Sequence, residues 1–152
     1  MITQQHFEEL LKLLEENQVE YVVVGGYAVA FYGYPRFTKD IDIFFKNSEL
    51  NVKRIKKALI SFGFTDKDLP DDLFYEKGNI IQFGIEPLRV DIINEIDGVN
   101  IEDALKNSTR GKYGKVEINF IGINELIKNK ESTGREQDII DAKKLKERAI
   151  KS

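Results

Sequence analysis

Two aspartates separated by one residue stand in an otherwise apolar segment, Asp40-Ile41-Asp42-Ile43. Because side chains alternate between the two faces of a strand, Asp40 and Asp42 share one face while Ile41 and Ile43 point into the core. Two carboxylates roughly 7 Å apart along a strand repel each other unless a cation lies between them. Hard divalent ions such as Mg²⁺ take oxygen ligands of this kind. The pair is therefore a candidate metal site, and the alternative is an exposed strand end with solvated carboxylates.

A third aspartate lies inside a second apolar segment, Val90-Asp91-Ile92. If the two segments are neighbouring strands, three carboxylates converge on one patch of sheet. Each isolated charge in an apolar strand would be costly without a partner, which favours a shared cation. The alternative for Asp91 alone is a surface position or a pairing with Arg89.

A glycine pair, Gly25-Gly26, follows the apolar run Tyr21–Val24 and precedes the helix-like segment 27–32. Glycines at a junction between a strand and a helix let a phosphate approach the backbone, and the start of the helix presents oriented N–H groups. A tight turn without any ligand explains the same pair. The glycines alone therefore leave both interpretations open.

The residue inventory excludes several other chemistries. The chain has 152 residues, no cysteine and one histidine, His6, so a disulfide, a thiolate zinc site, a thiol nucleophile and a histidine-rich metal site are all ruled out within one chain. Lys and Arg number 23 against 26 Asp and Glu, a net charge of −3 that does not indicate a surface coated by nucleic acid. Any chemistry must rest on carboxylates, hydroxyls, Lys, Arg and backbone amides.

Strand and helix patterns alternate along the chain and predict a single α/β or α+β domain. We expect strands at 21–24, 40–45, 80–83, 88–93 and 115–121, the third and fourth forming a hairpin, and helices near 3–16, 27–32, 48–62, 101–106, 123–130 and 135–150. We interpret 66–72 as an acidic loop and 106–115 as a basic connecting loop. The domain prediction is one unit, 1–152, with a core at about 19–121 and a C-terminal helical appendage at about 123–150.

The order of these motifs resembles the signature of the DNA polymerase β-like nucleotidyltransferases. Val23-Val24-Gly25-Gly26 is followed after thirteen residues by Asp40-Ile-Asp42-Ile. The superfamily pattern is a hydrophobic residue, a Gly-Gly or Gly-Ser pair, a gap of similar length and a flanked Asp-x-Asp. Asp91 matches the third acidic residue, which stands on its own strand.

A narrower resemblance covers nearly the whole chain. The segment 33–42 is similar to that of small prokaryotic nucleotidyltransferases related to abortive-infection (type IV) toxins. Their C-terminal pattern of Lys, Gly-Arg, Asp and Asp is matched by Lys130, Gly134-Arg135, Asp138 and Asp141. The chain departs from that pattern at Glu136-Gln137, where a proline and a lysine are common.

The resemblance implies a mixed, partly antiparallel sheet flanked by helices, with the active site where the glycines and aspartates meet. It implies that Asp40 and Asp42 hold two Mg²⁺ ions, with Mn²⁺ as an alternative, and that Asp91 completes the metal site and accepts the proton of an attacking hydroxyl. Gly25 and Gly26 would cradle the β- and γ-phosphates of ATP or another NTP.

Further basic and hydroxyl residues are candidates for contact with the nucleotide. Arg36, Thr38 and Lys39 precede the aspartates, and a solvated loop explains them equally well. Lys130 and Arg135 would bring positive charge from the C-terminal helices, and the alternative is that the Arg135–Asp138 pair lies on the helix surface.

The favoured function is metal-dependent transfer of a nucleoside monophosphate from an NTP to a hydroxyl of RNA such as tRNA, of a protein or of a small molecule. A role in a toxin–antitoxin pair, with a partner protein or a homodimer completing acceptor recognition, is consistent with the resemblance. The alternative is a non-catalytic nucleotide-binding or antitoxin-like protein of the same fold. With neither a signal peptide nor a membrane span in the sequence, we expect a cytoplasmic protein.

Overall fold

The computed structural model describes residues 4–35, 38–85 and 88–151. The strands are β1 (Tyr21–Val24), β2 (Asp40–Phe45), β3 (Ile80–Ile85), β4 (Leu88–Ile93), β5 (Thr109–Tyr113) and β6 (Val116–Phe120). The helices are α1 (Gln4–Glu16), α2 (Gly25–Phe31), α3 (Glu49–Phe62), α4 (Asp72–Tyr75), α5 (Ile101–Lys106), α6 (Ile123–Ser132) and α7 (Glu136–Lys151).

The strands form one mixed sheet in the spatial order β3-β4-β2-β1-β6-β5. The β1–β2, β3–β4 and β5–β6 pairs are antiparallel, whereas β4 runs parallel to β2 and β6 runs parallel to β1. The predicted mixed, partly antiparallel sheet with flanking helices is confirmed, and so is the hairpin of β3 and β4.

One face of β2 belongs to the hydrophobic core. Ile41 and Ile43 are fully buried together with residues of α1 and α3, among them Phe7, Leu11 and Leu59. Helix α1 contributes at the i, i+3, i+4 spacing that the sequence predicts for an amphipathic helix. Burial of this face sends the alternate residues of β2 to the opposite side of the sheet.

A buried asparagine ties the outer ends of β1 and β2 together. Asn51 of α3 accepts a hydrogen bond from the Glu20 amide at 2.7 Å and donates to the carbonyls of Glu20 and Lys46 at 3.0 and 2.6 Å. The two strands are thereby held in the register that places Val24 opposite Asp42. This register brings the chain turn after β1 beside the aspartates of β2.

Two segments that the sequence analysis interprets as loops contain regular structure. Residues 66–72 include a short 3₁₀ helix, Asp66–Asp68, and the start of α4. The basic segment 106–115 contains β5, which is an edge strand paired with β6. Its polar, mostly exposed side chains lack an apolar alternation because an edge strand carries little of the core, so the sequence pattern misses it.

Helices α6 and α7 are joined by a buried cluster of charges. The Lys130 ammonium lies 2.9 Å from Asp138 Oδ1 and 3.5 Å from Asp141 Oδ2, and all three side chains are less than 10% exposed. The Thr133 hydroxyl donates to Asp138 Oδ2 at 2.7 Å. Burial alone would raise the pKa of Asp138, but the hydrogen bonds from Thr133 and Lys130 outweigh it and hold that pKa below its ordinary value. Asp138 and Asp141 are therefore interior residues, and the Arg135–Asp138 pair considered from the sequence is formed at 2.9 Å with its carboxylate buried.

No helix within the described residues is both long enough and apolar enough to cross a membrane.

Replacing Lys130 by Met should destabilise the protein by about 3 kcal/mol, because it leaves two buried carboxylates without their cation. Urea unfolding followed by circular dichroism would measure this loss. Lys143→Met is the matched control, since it removes the same charge from an exposed position of the same helix pair. Equal unfolding midpoints for the two variants would show that the buried cluster does not hold α6 to α7.

Candidate functional site

Two of the three predicted aspartates are direct neighbours in the sheet. The parallel pairing of β2 and β4 places Asp42 opposite Asp91 and Ile41 opposite Val90. Residues that face each other across adjacent strands project from the same side of a sheet, so both carboxylates leave the sheet on the side away from Ile41 and Val90, which are buried. The convergence expected from the sequence is therefore present for this pair.

Gly25 is shaped to receive the Asp42 carboxylate. Its φ of +68° is the left-handed region that favours glycine, and a Cβ placed on it would overlap Asp42 Oδ2 and lie 3.2 Å from Asp42 Cγ. A Cβ on Gly26 would lie 3.1 Å from the Cβ and Oγ1 of Thr38. The glycine pair thus allows β2 and the segment before it to approach the start of α2 closely, which is a role that the sequence analysis did not foresee.

The ionised form of Asp42 is strongly disfavoured when no cation is present. Burial raises the pKa of Asp42 to about 7, together with the negative charge of Asp91, a hydrogen bond between the two carboxyl groups and the charge of Asp40. Lys130 acts in the opposite direction. Asp91 Oδ1 is buried and has no hydrogen-bond partner in the part of the chain that the structure describes. The pair accordingly needs a proton or a cation near neutral pH.

Asp40 shares the face of Asp42, but its carboxylate is already paired with an arginine. Arg89, its partner in the β2–β4 register, donates from Nε to Asp40 Oδ1 and from Nη2 to Asp40 Oδ2, each at 3.1 Å. The pairing of Arg89 that the sequence analysis considered for Asp91 is thus made with Asp40. Across residues 4–35, 38–85 and 88–151, no group of three acidic or histidine side chains is arranged to hold a metal ion together.

The chemistry of Asp42 and Asp91 fits a divalent ion. Both are hard oxygen donors, their side chains are half-buried, and one buried oxygen of Asp91 lacks a hydrogen-bond donor. A hard cation would replace the proton that the raised pKa of Asp42 calls for. Asp40 is the candidate third ligand, and its contact with Arg89 would compete with a metal for its oxygens.

A cleft of about 480 Å³ opens beside these residues. On one side it is bounded by Gly25, Gly26 and Asp42, and on another by Lys130, Arg135 and Asp138. Five of the predicted site residues therefore surround one cavity. The remaining wall consists of Val24, which precedes the glycine pair, and of residues that the sequence analysis did not select: Gly78, Ile80, Ile93, Glu95, Ile96, Asp97, Asn129 and Thr133.

Only part of that wall could have been found from the sequence. Ile93 stands two residues after Asp91 and shares its face of β4 by strand alternation. Ile80 reaches the cleft because the antiparallel hairpin pairs it with Ile93. Asn129 reaches it because its amide donates to the Asp97 carbonyl at 2.9 Å, a contact between positions 32 residues apart.

The remaining predicted nucleotide contacts are less central. Thr38 lies against Gly26, and its hydroxyl donates to the Asp40 carbonyl at 3.2 Å. Lys39 is exposed at the start of β2. Arg135 is largely exposed at the mouth of the cleft and pairs with Asp138 at 2.9 Å. Arg36 lies outside the described residues.

A larger cavity, of about 670 Å³, lies elsewhere, along α3 and the segment after it. It contains none of the predicted site residues. Lys56, the least exposed of its lysines, is paired with Asp66 at 3.4 Å and with Asp71 at 2.9 Å. Because carboxylates of the same wall neutralise this lysine, the cavity does not offer an anion the concentrated positive charge that a phosphate site needs.

Gly25→Ala should cost more stability than a left-handed glycine elsewhere. At Gly134, with φ +74° and no atom within 4 Å of an added Cβ, alanine meets only backbone strain of about 1 kcal/mol. At Gly25 the overlap with Asp42 adds about 2 kcal/mol. Thermal unfolding of the two variants would measure the difference. Equal losses for Gly25→Ala and Gly134→Ala would contradict the close contact with Asp42.

Asp42→Asn should stabilise the protein in EDTA at pH 8, by about 2 kcal/mol. The folded-state pKa of Asp42 is raised to about 7, so the parent loses stability as the pH rises from about 4 through that value. The advantage of the variant should therefore shrink as the pH falls to about 4. Denaturant unfolding across this range tests the expectation, with exposed Asp72→Asn as the control that should show no such trend.

Comparisons with known proteins support the fold and identify the family. None of the curated protein sequences matches the chain. The crystal structure of the lincosamide antibiotic adenylyltransferase LnuA with lincomycin bound has a similar fold, with a TM-score of 0.52 and 20% sequence identity over 95% of this chain and 97% of that one. The crystal structure of a protein from Thermotoga maritima described as a nucleotidyltransferase has a TM-score of 0.56 and 18% identity over 100% of this chain and 97% of that one.

A family model described as "Nucleotidyl transferase of unknown function (DUF2204)" matches residues 3–152. The match extends from the first helix through the sheet with its paired aspartates to the last helix. The chain therefore belongs to this family of nucleotidyltransferases.

Proposed function

We propose that this protein transfers a nucleoside monophosphate from an NTP, ATP being the first candidate, to a hydroxyl acceptor, and that the reaction depends on Mg²⁺ bound at Asp42 and Asp91. The observation that carries the proposal is the placement of these two carboxylates side by side in parallel strands, with Asp42 against a glycine at which a Cβ would overlap its carboxylate. Membership of a nucleotidyltransferase family supports it.

The glycines and the basic residues are proposed to bind the triphosphate. Gly26 lines the cleft, and its backbone is proposed to contact a phosphate there. Arg135, exposed at the mouth, can turn toward a phosphate oxygen, while Lys130 is held in place by Asp138 and Asp141 and contributes positive potential. Thr38 and Lys39 stand next to the glycines and the aspartates on the entry side of β2.

The aspartates are proposed to hold the metal and to handle the proton. Two Mg²⁺ ions, or Mn²⁺ in their place, would when bound neutralise charge on the phosphates and activate the acceptor hydroxyl. Asp42 and Asp91 orient the reacting groups from a rigid sheet whose opposite face is packed core. Asp91, with an oxygen that accepts no hydrogen bond within the described residues, is proposed to accept the proton of the attacking hydroxyl as that oxygen bonds to the α-phosphorus and the bond to the leaving pyrophosphate breaks.

The acceptor is proposed to enter past the wall formed by Ile80, Ile93 and Ile96, between the charged side chains of Glu95 and Asp97. An apolar surface bordered by a few polar groups suits a small molecule or one protruding group of a larger one. RNA, protein and small-molecule hydroxyls are therefore the acceptor classes to test. A protein or tRNA acceptor would be consistent with a toxin role involving a partner protein.

The experiment supplies two labelled forms of each NTP, with Mg²⁺ and a panel of tRNA, protein and small-molecule acceptors. Label at the α-phosphate should move to an acceptor, whereas label at the γ-phosphate should leave with pyrophosphate. Transfer of the γ-label instead would identify a kinase. Binding of NTP with no transfer to any member of the panel would favour the non-catalytic alternative.

Asp42→Asn and Asp91→Asn should each reduce the rate of α-label transfer by about a thousandfold, because each removes an anionic oxygen ligand from the metal site. Thermal unfolding should show that both variants remain folded. Asp72→Asn, an exposed aspartate in α4, should transfer label at the parental rate. Unreduced transfer by Asp42→Asn would overturn the assignment of the site.

A further inference from the structure

The contact between Asp40 and Arg89 is not used by the proposed reaction. Both carboxylate oxygens of Asp40 accept a hydrogen bond, one from Nε and one from Nη2 of the same guanidinium, each at 3.1 Å. The backbones are joined at the same place, where the Arg89 amide donates to the Lys39 carbonyl at 2.9 Å. The strand register therefore fixes this pair, and its two side chains are only about a third exposed, at 37% and 30%.

The two-pronged arginine contact uses one lone pair on each carboxylate oxygen of Asp40, so a metal would have to share these oxygens with the guanidinium. Such a pair is stronger and more directional than a single ion contact. A divalent ion next to Asp40 would also stand close to the positive guanidinium, and the two cations repel each other. Arg89 and a divalent ion therefore compete for Asp40, and each weakens the binding of the other.

Positive charge is unevenly distributed over the three carboxylates. Asp40 has the Arg89 guanidinium on both oxygens, whereas Asp91 has a buried oxygen that no described residue approaches with a hydrogen bond. Lys130, whose charge acts on Asp42, has its ammonium within 2.9 Å of Asp138 and 3.5 Å of Asp141. Asp40 thus already has a cationic partner on both oxygens, whereas no such pair is made by Asp42 and Asp91 within the described residues.

We propose that Arg89 is a positioning residue that competes with the divalent cation for Asp40, holding this carboxylate in the metal-free protein and leaving it when the complete site forms. The proposal rests on the metal site of the proposed function. An incoming triphosphate gives the guanidinium a new anionic partner, so nucleotide and metal favour each other's binding. The site then binds metal weakly alone and tightly with nucleotide.

The test measures Mn²⁺ binding without nucleotide, by electron paramagnetic resonance of the unbound ion. Arg89→Gln should bind Mn²⁺ about fivefold more tightly than the parent, because the competing cation is gone. Arg110→Gln is the matched control. It removes the same charge from an arginine paired with Glu15 at 2.8 Å on β5, at the opposite edge of the sheet, and should leave the affinity within about twofold of the parent.

A second variant, Arg89→Lys, keeps the prediction testable if Arg89→Gln does not fold. Lysine keeps the charge but cannot make the two-pronged contact, so its Mn²⁺ affinity should lie between those of the parent and Arg89→Gln. Adding a non-hydrolysable NTP analogue should raise the Mn²⁺ affinity of the parent more than that of Arg89→Gln. Only the parent has the Arg89 guanidinium, which can leave Asp40 and pair with the triphosphate.

The outcomes separate this proposal from the one on which it rests. If Asp42→Asn weakens Mn²⁺ binding while Arg89→Gln binds as the parent does or more weakly, the metal site stands and competition by Arg89 is wrong. If Asp42→Asn binds Mn²⁺ as tightly as the parent, the metal site itself is wrong and both proposals fall.

Discussion

Two like charges held next to each other are the constraint around which this molecule is organised. Asp42 and Asp91 face each other across parallel strands, on a sheet whose other face is packed with Ile41, Val90 and their neighbours. The carboxylates cannot separate without moving β2 or β4 out of that core, and such a move would expose apolar surface. The fold therefore concentrates uncompensated negative charge at Asp42 and Asp91, and a bound divalent ion would neutralise it.

The basic residues around the site neutralise this negative charge only in part. Arg89 neutralises Asp40, and Lys130 is committed to the buried carboxylates between α6 and α7. Gly25 leaves space for the Asp42 carboxylate and supplies no charge. The buried Lys130 and the partly buried Arg89 are thus each paired with carboxylates of their own, and the deficit of positive charge is concentrated at Asp42 and Asp91.

Local patterns predicted much of the fold and of the site. The alternation in β2 correctly assigned Asp40 and Asp42 to one face and their isoleucine neighbours to the core, because successive side chains of any strand point to opposite faces. The Gly-Gly pair correctly marked the junction of β1 and α2, although the helix includes both glycines and does not begin at residue 27 as predicted. The pattern failed at β5, an edge strand of polar residues whose structure comes from its pairing with β6 rather than from its own composition.

The sequence by itself determined which residue types were available for chemistry, which faces of the strands they occupy, and, by excluding cysteine and histidine sites, that any metal must be held by carboxylates. Only the tertiary structure decided that Asp91 lies beside Asp42 while Arg89 lies on Asp40, that Gly25 makes room for a carboxylate, and that Ile80, Asn129 and Asp97 line the cleft. The physical reason is range. Strand alternation acts over two residues, whereas these contacts join positions up to about fifty apart, such as Asp40 and Arg89. They exist only because strand order and register, stabilised by burial of the whole core, bring distant segments together.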